Sequence, residues 1–389
     1  MAEYIVNRYK GVYRRAMELY KEEKYKECLP LLEVVCENDP ANYEASYYLA
    51  QLYYNARGVE KDEYKAFKLY MRAATNKVTP AAYMVGLCYF EGKGIKEDNT
   101  QALAWFQEAA KYGHPMSQYY LGLAYMQGKG IERNLPLAAN WLVHAAKSGI
   151  VEAQRDAGIC YEMLGQMKAA ATLYLAGAEA GNAFCQEKIG DCYNDGIGCM
   201  QCDGLALEFY EKAANQNNSK AQVKLARKYH NGEGCEVDLI RTMYWYNKAS
   251  GLGESKAQFE IGNLHFKGEG VPENGIVAMS YWLKAANQGN IEAMIQIAEI
   301  LTDPKDSGVA KNLADAKHWW TKAAEAGSSY AMYRLGNCLE KGIGTISTSI
   351  EDAYKWYRLA ANNGNKDAEM ALKRFIKTFT GKIKLKKDK

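Results

Sequence analysis

The chain has 389 residues, 48% hydrophobic and 24% charged, long enough for two or three compact domains of roughly 150 residues each and typical of a soluble globular protein, not a disordered one. Its 49 Lys and Arg against 46 Asp and Glu leave a net charge of +3, too even for a nucleic-acid or membrane-surface role by bulk attraction. No stretch approaches the roughly 20 apolar residues of a membrane span, and the start MAEYIVNRYK lacks the apolar core of a signal peptide. The ten cysteines therefore read as reduced thiols of a cytoplasmic protein. Thirty tyrosines are a surplus that needs a structural home.

In chain order, residues 1–42 read as a helical pair, with AMELYKEEKYKECLPLLEVVCENDP ending at the helix-breaking Pro40. A repeat then governs residues 43–365. The small residue of each first helix marks it: Ala50, Gly86, Gly122, Gly158, Gly190, Ala226, Gly262, Ala298 and Gly336. The steps are 36, 36, 36, 32, 36, 36, 36 and 38 residues, a period that signals a solenoid or array. Positions −5, −1, 0 and +3 from the marker, as in Ala81, Val85, Gly86 and Tyr89, form one packed helical stripe. A Gly-x-Gly turn follows in most repeats, as at Gly92/Gly94 and Gly268/Gly270. The second helix carries an aromatic four residues before an Ala pair: Trp105, Trp141 and Phe209, with Trp245, Trp319 and Trp356 in the same place. Small and large residues so placed allow close helix crossing. Repeat four, residues 151–182, loses four residues and its Gly-x-Gly, and repeat eight replaces the turn with DPKDSGVAKN. A helix over 366–380 is expected to cap the last apolar face, and the basic stretch 381–389 to trail off as a disordered tail.

The pattern A-x3-LG-x2-Y-x2-G-x-G-(V/I)…A-x2-W-x3-AA-x2-G resembles the Sel-1-like repeat (SLR), a relative of the tetratricopeptide repeat, in about nine copies. Residues 1–42 and repeat four are more similar to tetratricopeptide units. The resemblance implies an all-α, right-handed solenoid of about ten stacked two-helix units, each burying its core against its neighbours.

Candidate chemistry is sparse. Cys199-x-x-Cys202, near Cys192 and Cys235, has the spacing of half a zinc or redox site, but a single pair is a weak signal. Cys199 and Cys235 occupy a turn position held elsewhere by Ile95, Ile131 and Val271, while Cys88, Cys160, Cys192 and Cys338 share marker +2; both registers read as packing. The five histidines form no metal-binding motif, no nucleophile sits in a GxSxG context, and no GK(S/T) follows the glycine turns. No catalytic residue, metal ligand or cofactor is expected. The basic end, Lys382 to Lys389, reads as a solvated terminus, and nucleic acid is not an expected partner.

The wheel turns marker −2, +1 and +5 away from the packed stripe, with −3 and +4 on its flank. The resemblance implies that first helices line the concave surface. Tyr48, Met84, Leu87, Tyr120 and Leu123 then form an apolar part of that groove, followed by charged and polar Lys188, Asp191, Lys224, Arg227, Asn263, Arg334 and Asn337. Flanking Tyr47, Tyr54, Tyr83, Phe90, Tyr119 and Met126 either join the groove or pack on the neighbouring first helix. Tyrosine gives broad contact area at low entropic cost. The expected function is a non-catalytic scaffold or adaptor holding a protein or peptide. Alternatives are a bacterial immunity or secretion-adaptor protein binding a cognate effector and, more remotely, a β-lactam-binding or cell-wall hydrolase-like enzyme. The ends of the stack offer a route to a homodimer.

Overall fold

The computed structural model describes residues 2–305, 307–344, 347–377 and 382–385. They divide into two compact bodies, Met1–Gln201 and Cys202–Lys389. The first holds α1 (Ala2–Lys21), α2 (Tyr25–Asn38), α3 (Tyr43–Tyr54), α4 (Glu63–Thr75), α5 (Thr79–Glu91), α6 (Asn99–Lys111), α7 (Pro115–Gln127), α8 (Leu135–Lys147), α9 (Val151–Met163), α10 (Met167–Glu179) and α11 (Ala183–Asp195). The second holds α12 (Asp203–Asn215), α13 (Ser219–Asn231), α14 (Leu239–Gly251), α15 (Ser255–Lys267), α16 (Gly275–Ala286), α17 (Ile291–Thr302), α18 (Leu313–Glu325), α19 (Ser329–Lys341), α20 (Ile350–Asn362) and α21 (Lys366–Leu372), then strands β1 (Phe375–Lys377) and β2 (Ile383–Leu385). Within each body every helix packs on the next in sequence, the arrangement of an SLR helical solenoid.

Local chemistry sets the helix ends. Asn42, Asn182, Asn218, Asn290 and Ser328 cap first helices, and Asp62, Asp98, Asn134, Asp238, Asn274 and Asn312 cap second helices, each accepting a backbone N–H. Such caps satisfy donors that the helix itself leaves open. Gly92 closes α5 in the left-handed region at φ 69°, its N–H on the Cys88 carbonyl. Gly94, at φ 74°, has a second role: a Cβ there would run into the Glu63 carbonyl at the start of α4. The turn thus seats one hairpin on the preceding one, and Gly344 repeats this on Leu313. Repeat four manages with Gly165 alone, at φ 72°.

In five hairpins the marker is a glycine that forms a notch filled by one large side chain. A Cβ on Gly86 would sit 2.7 Å from two ring carbons of Phe106, on Gly262 2.5 Å from Trp282, and on Gly336 2.7 Å from Tyr357; Gly122 meets Leu142 at 2.6 Å, and Gly158 faces Tyr174. The filling residue lies one position after the expected aromatic. Phe106, Tyr174, Trp282, Trp320 and Tyr357 are essentially inaccessible, whereas Trp105, Trp141 and Trp356 are half-buried. The offset follows from helix geometry: residues one apart point about 100° away from each other, so only one of the pair can enter the notch.

The C-terminal cap differs from expectation. Its helix stops at Leu372, and Phe375–Lys377 pairs antiparallel with Ile383–Leu385, so part of the expected disordered tail is a strand. Tertiary contacts override the helical pattern: the buried Phe375 ring lies 5.6 Å from Tyr354 and 5.8 Å from Tyr357. Arg374 forks onto the buried Glu340 carboxylate at 2.8 and 2.9 Å, and Tyr357 donates to the same group at 2.7 Å. The expected helix over 378–380 and tail residues 386–389 lie outside the described residues.

The cysteines of marker +2 are buried, as are Cys28, Cys36 and Cys185. Burial, helped by Glu91 and Glu63, pushes the Cys88 thiol up to about 12, and burial raises Cys192 to about 11. In repeat six that site holds Lys228, 1% exposed, its ammonium on Asp203 at 2.6 Å and Glu233 at 3.1 Å.

Two outcomes follow from this packing. Gly86→Val loses about 1–3 kcal/mol of stability in denaturant titration, because the added methyls must displace Phe106; an unchanged midpoint would mean the notch is slack. Iodoacetamide at pH 8 modifies Cys199, Cys202 and Cys235 in the native protein and reaches the seven buried thiols only after denaturation, since the thiolate is the nucleophile.

Candidate protein-binding surface

Marker +1 and −2 of the first helices set the candidate surface. In the N-terminal body, Tyr48 is half-buried and meets Tyr20 at 5.1 Å and Tyr47 at 5.2 Å, both edge-on. Leu87, Tyr120 and Leu123 are half-buried as well. Met84 is the exception: at 8% exposure it belongs to the core, where its flexible thioether chain fills space, and it offers no binding surface. Tyr120 stacks on the notch residue Phe106, centroids 5.0 Å apart and planes 10° apart. Phe90 lies 5.6 Å from Tyr120.

Between α5, α6 and α7 these rings leave a cavity of about 180 Å³, lined also by Leu103, Leu123, Asn99 and Lys129. Phe106, Leu103 and Asn99 come from the second helix, which a first-helix wheel does not display. The available sequence signal was the second aromatic of the Trp105-Phe106 pair.

The flanking residues pack on neighbouring first helices. Tyr83 lies 6.2 Å from Tyr120 and stacks on His114 at 4.6 Å. Tyr54 donates to Glu91 at 3.4 Å. Tyr119 donates to Asp156 at 3.0 Å, and the Arg155 guanidinium holds the same buried carboxylate at 2.7 Å. Lys188 reaches back to Glu162 at 3.0 Å, and Asp191 is half-buried beside them on α11. Much of the charge read along this stretch is thus spent on neighbours: a pairwise ladder runs through α3, α5, α7, α9 and α11.

In the C-terminal body Arg227 is exposed, and the Lys224 ammonium lies 5.6 Å from the Tyr210 ring centroid. Asn263 accepts from the Trp282 indole at 3.1 Å, and Asn337 Oδ1 lies 3.0 Å from the Tyr357 hydroxyl, whose proton goes to Glu340. These equivalent asparagines orient the two notch rings, so their role is partly structural. Arg334 lies over Trp320 at 4.6 Å, donates to the Tyr330 hydroxyl at 2.7 Å, and sits 3.8 Å from Glu299. Across both bodies marker +1 stays solvent-accessible in every described repeat, from Gln51 and Leu87 to Arg227, Asn263 and Asn337.

The arrangement offers hydrogen bonds, aromatic faces and isolated charges. Among the described residues no group of three or more His, Cys, Asp or Glu is placed to hold a metal ion. Among the described residues no helix is long and apolar enough to cross a membrane. His114 serves as a cap, its Nδ1 accepting from the Ser117 N–H at 3.3 Å, and burial holds its pKa below the usual histidine range.

The family model for the Sel1 repeat matches residues 44–77, 79–114, 115–150, 183–218, 219–254, 255–290, 291–328 and 329–365. The two stretches read as tetratricopeptide-like, 1–42 and 151–182, are passed over. No curated protein matches the chain. Among solved structures it is similar to a protective antigen of uropathogenic Escherichia coli displaying an SLR fold, at 28% identity and TM-score 0.70, over 88% of this chain and 73% of that one. It is also similar to a Sel1 repeat protein from Oxalobacter formigenes, at 25% identity and TM-score 0.52, over 88% of each chain. Sel1 repeat proteins are generally protein-interaction scaffolds. With eight repeats matched over most of its length and solved relatives of the same build, the chain belongs to the Sel1 repeat family.

Proposed function

We propose that this protein is a non-catalytic adaptor that holds a protein or extended peptide against its first helices. One observation carries the reading: marker +1 is left accessible in repeat after repeat while the residues around it are locked in core or in the inter-helix ladder. A side chain that recurs every 36 residues on a rigid support is suited to reading a partner at regular intervals. Tyr120, Leu123 and Leu87 supply apolar contact at one end, and Arg227, Asn263, Arg334 and Asn337 supply polar contact further on. Binding strength in such a surface rests on a few anchors rather than on the whole contact area. Tyr48 and Tyr120 are poor positions for a truncation test, because each also packs on other rings of the chain.

Site-specific photocrosslinking avoids that difficulty. A benzophenone amino acid replaces Leu87, Leu123 or Arg227, and in control proteins the exposed second-helix residues Lys111 or Lys147. In extracts of the native cell the first-helix positions are expected to capture one common partner and the controls none, with thermal unfolding unchanged. Capture from the second-helix positions alone would overturn the proposal.

A further inference from the structure

The aromatic that precedes the Ala pair of the second helix has a recurring companion three residues on. Lys212 lies over Phe209 at 4.8 Å, Lys248 over Trp245 at 5.3 Å, Lys284 over Tyr281 at 4.8 Å and Lys322 over Trp319 at 4.5 Å, ammonium to ring centroid. One helical turn brings each pair together, and the ring face attracts the cation. Phe209, Trp245 and Trp319, so covered, are buried. Repeat two reverses the sign: Trp105 is followed at the same interval by Glu108. Among the described residues no ammonium or guanidinium lies over Trp105 or over Tyr112, one turn beyond Glu108. A cleft of about 250 Å³ stands there, lined by Trp105, Glu108 and Tyr112 with three alanines, Thr75, Thr79 and Lys77. Its α6 side chains are accessible: Tyr112 is 59% exposed, the Glu108 side chain 44%, and Trp105 is half-buried. Glu108 meets Lys111 through Oε2 alone, at 3.2 Å, in an exposed pair of the kind that contributes little. The Thr75 hydroxyl is committed to the Met71 and Arg72 carbonyls, and Lys77 is exposed and covers neither ring. Two helix C-termini, those of α4 and α6, reach the cleft against one N-terminus, that of α5; a C-terminus carries partial negative charge.

We propose that this cleft binds a trimethylammonium group, in the place that four other repeats fill with a lysine of their own. The faces of Trp105 and Tyr112 supply the attraction that a cation finds in an aromatic ring, and the Glu108 carboxylate supplies the opposite charge. A primary ammonium is strongly hydrated and brings three donors, which the half-engaged Glu108 cannot satisfy alone. A quaternary ammonium has no donor to satisfy and asks only for ring faces and a nearby anion. The cleft, larger than the roughly 150 Å³ cavity that takes up benzene, has room for it. The site lies on a second helix, apart from the first-helix row, and stands without the adaptor reading.

The test follows the indole N–H resonances of the full-length protein during titration with choline and with 3,3-dimethylbutan-1-ol, its uncharged carbon isostere. Choline is expected to bind about tenfold more tightly, through two ring faces and one carboxylate. It moves the Trp105 signal, while those of Trp245 and Trp319 stay in place beneath their lysines. Glu108→Lys installs the cation of the other repeats and abolishes binding, with thermal unfolding unchanged. Lys77→Gln removes a like charge at an exposed position and tightens binding about twofold. Equal affinity for choline and the alcohol would overturn the proposal, as would choline binding retained in Glu108→Lys or shifts as large at Trp245 and Trp319. Phosphatidylcholine vesicles separate the two sources of the group. Sedimentation with them that Glu108→Lys abolishes assigns the site to a lipid head group; choline binding without sedimentation assigns it to a soluble ion.

Discussion

The contact between a glycine on one helix and a large side chain on the next is what the rest of the molecule depends on. Gly86 against Phe106, Gly262 against Trp282 and Gly336 against Tyr357 fix how closely the two helices of a hairpin approach. That spacing decides which positions vanish into the core. With the notch filled, marker 0 and its neighbours are lost to solvent and marker +1 is left outside. The second glycine of the turn acts at the next level: Gly94 against Glu63 and Gly344 against Leu313 seat successive hairpins where a side chain would hold them apart. Where a repeat carries both glycines, two backbone-scale contacts set the stacking and the accessible row.

The repeat, its length, its turns and the burial of the marker +2 cysteines were legible in the sequence because each is written many times at a fixed interval, whereas Cys199 and Cys235, read as packing at the turn, stay partly accessible. What recurs once was not. Arg374 and Glu340 are 34 residues apart, and nothing local says that their pairing, with the ring of Phe375, will draw the chain out of a helix and into a hairpin. Lys228 stands where other repeats place cysteine, alanine, leucine or isoleucine; its burial depends on Asp203 and Glu233. The choice between Trp105 and Phe106 as notch filler is a matter of helix rotation, which composition at four-residue spacing leaves undetermined. For the surface, the first-helix wheel found Leu87, Tyr120 and Leu123 but placed Met84 outside. It also had no view of Asn99 and Phe106, which approach from the second helix.

Charge has a different meaning from the one its density suggests. The stretch from Arg155 to Asp195 reads as a charged groove, yet Arg155, Asp156, Glu162 and Lys188 bond one another or Tyr119 across consecutive first helices. Partly buried pairs of this kind hold neighbours in register and leave little net field. In the N-terminal body the Lys129 ammonium stands over the Phe90 ring beside an aromatic cavity lined also by Phe106 and Tyr120.

The central claim is that partners engage the first helices. Hydrogen exchange measured by mass spectrometry, on the protein alone and with its captured partner, tests it most directly. Added protection confined to α5, α7, α13, α15 and the turns that follow them is the predicted result. Protection centred on α6, α8, α14 and α16, with the first helices unchanged, would contradict it.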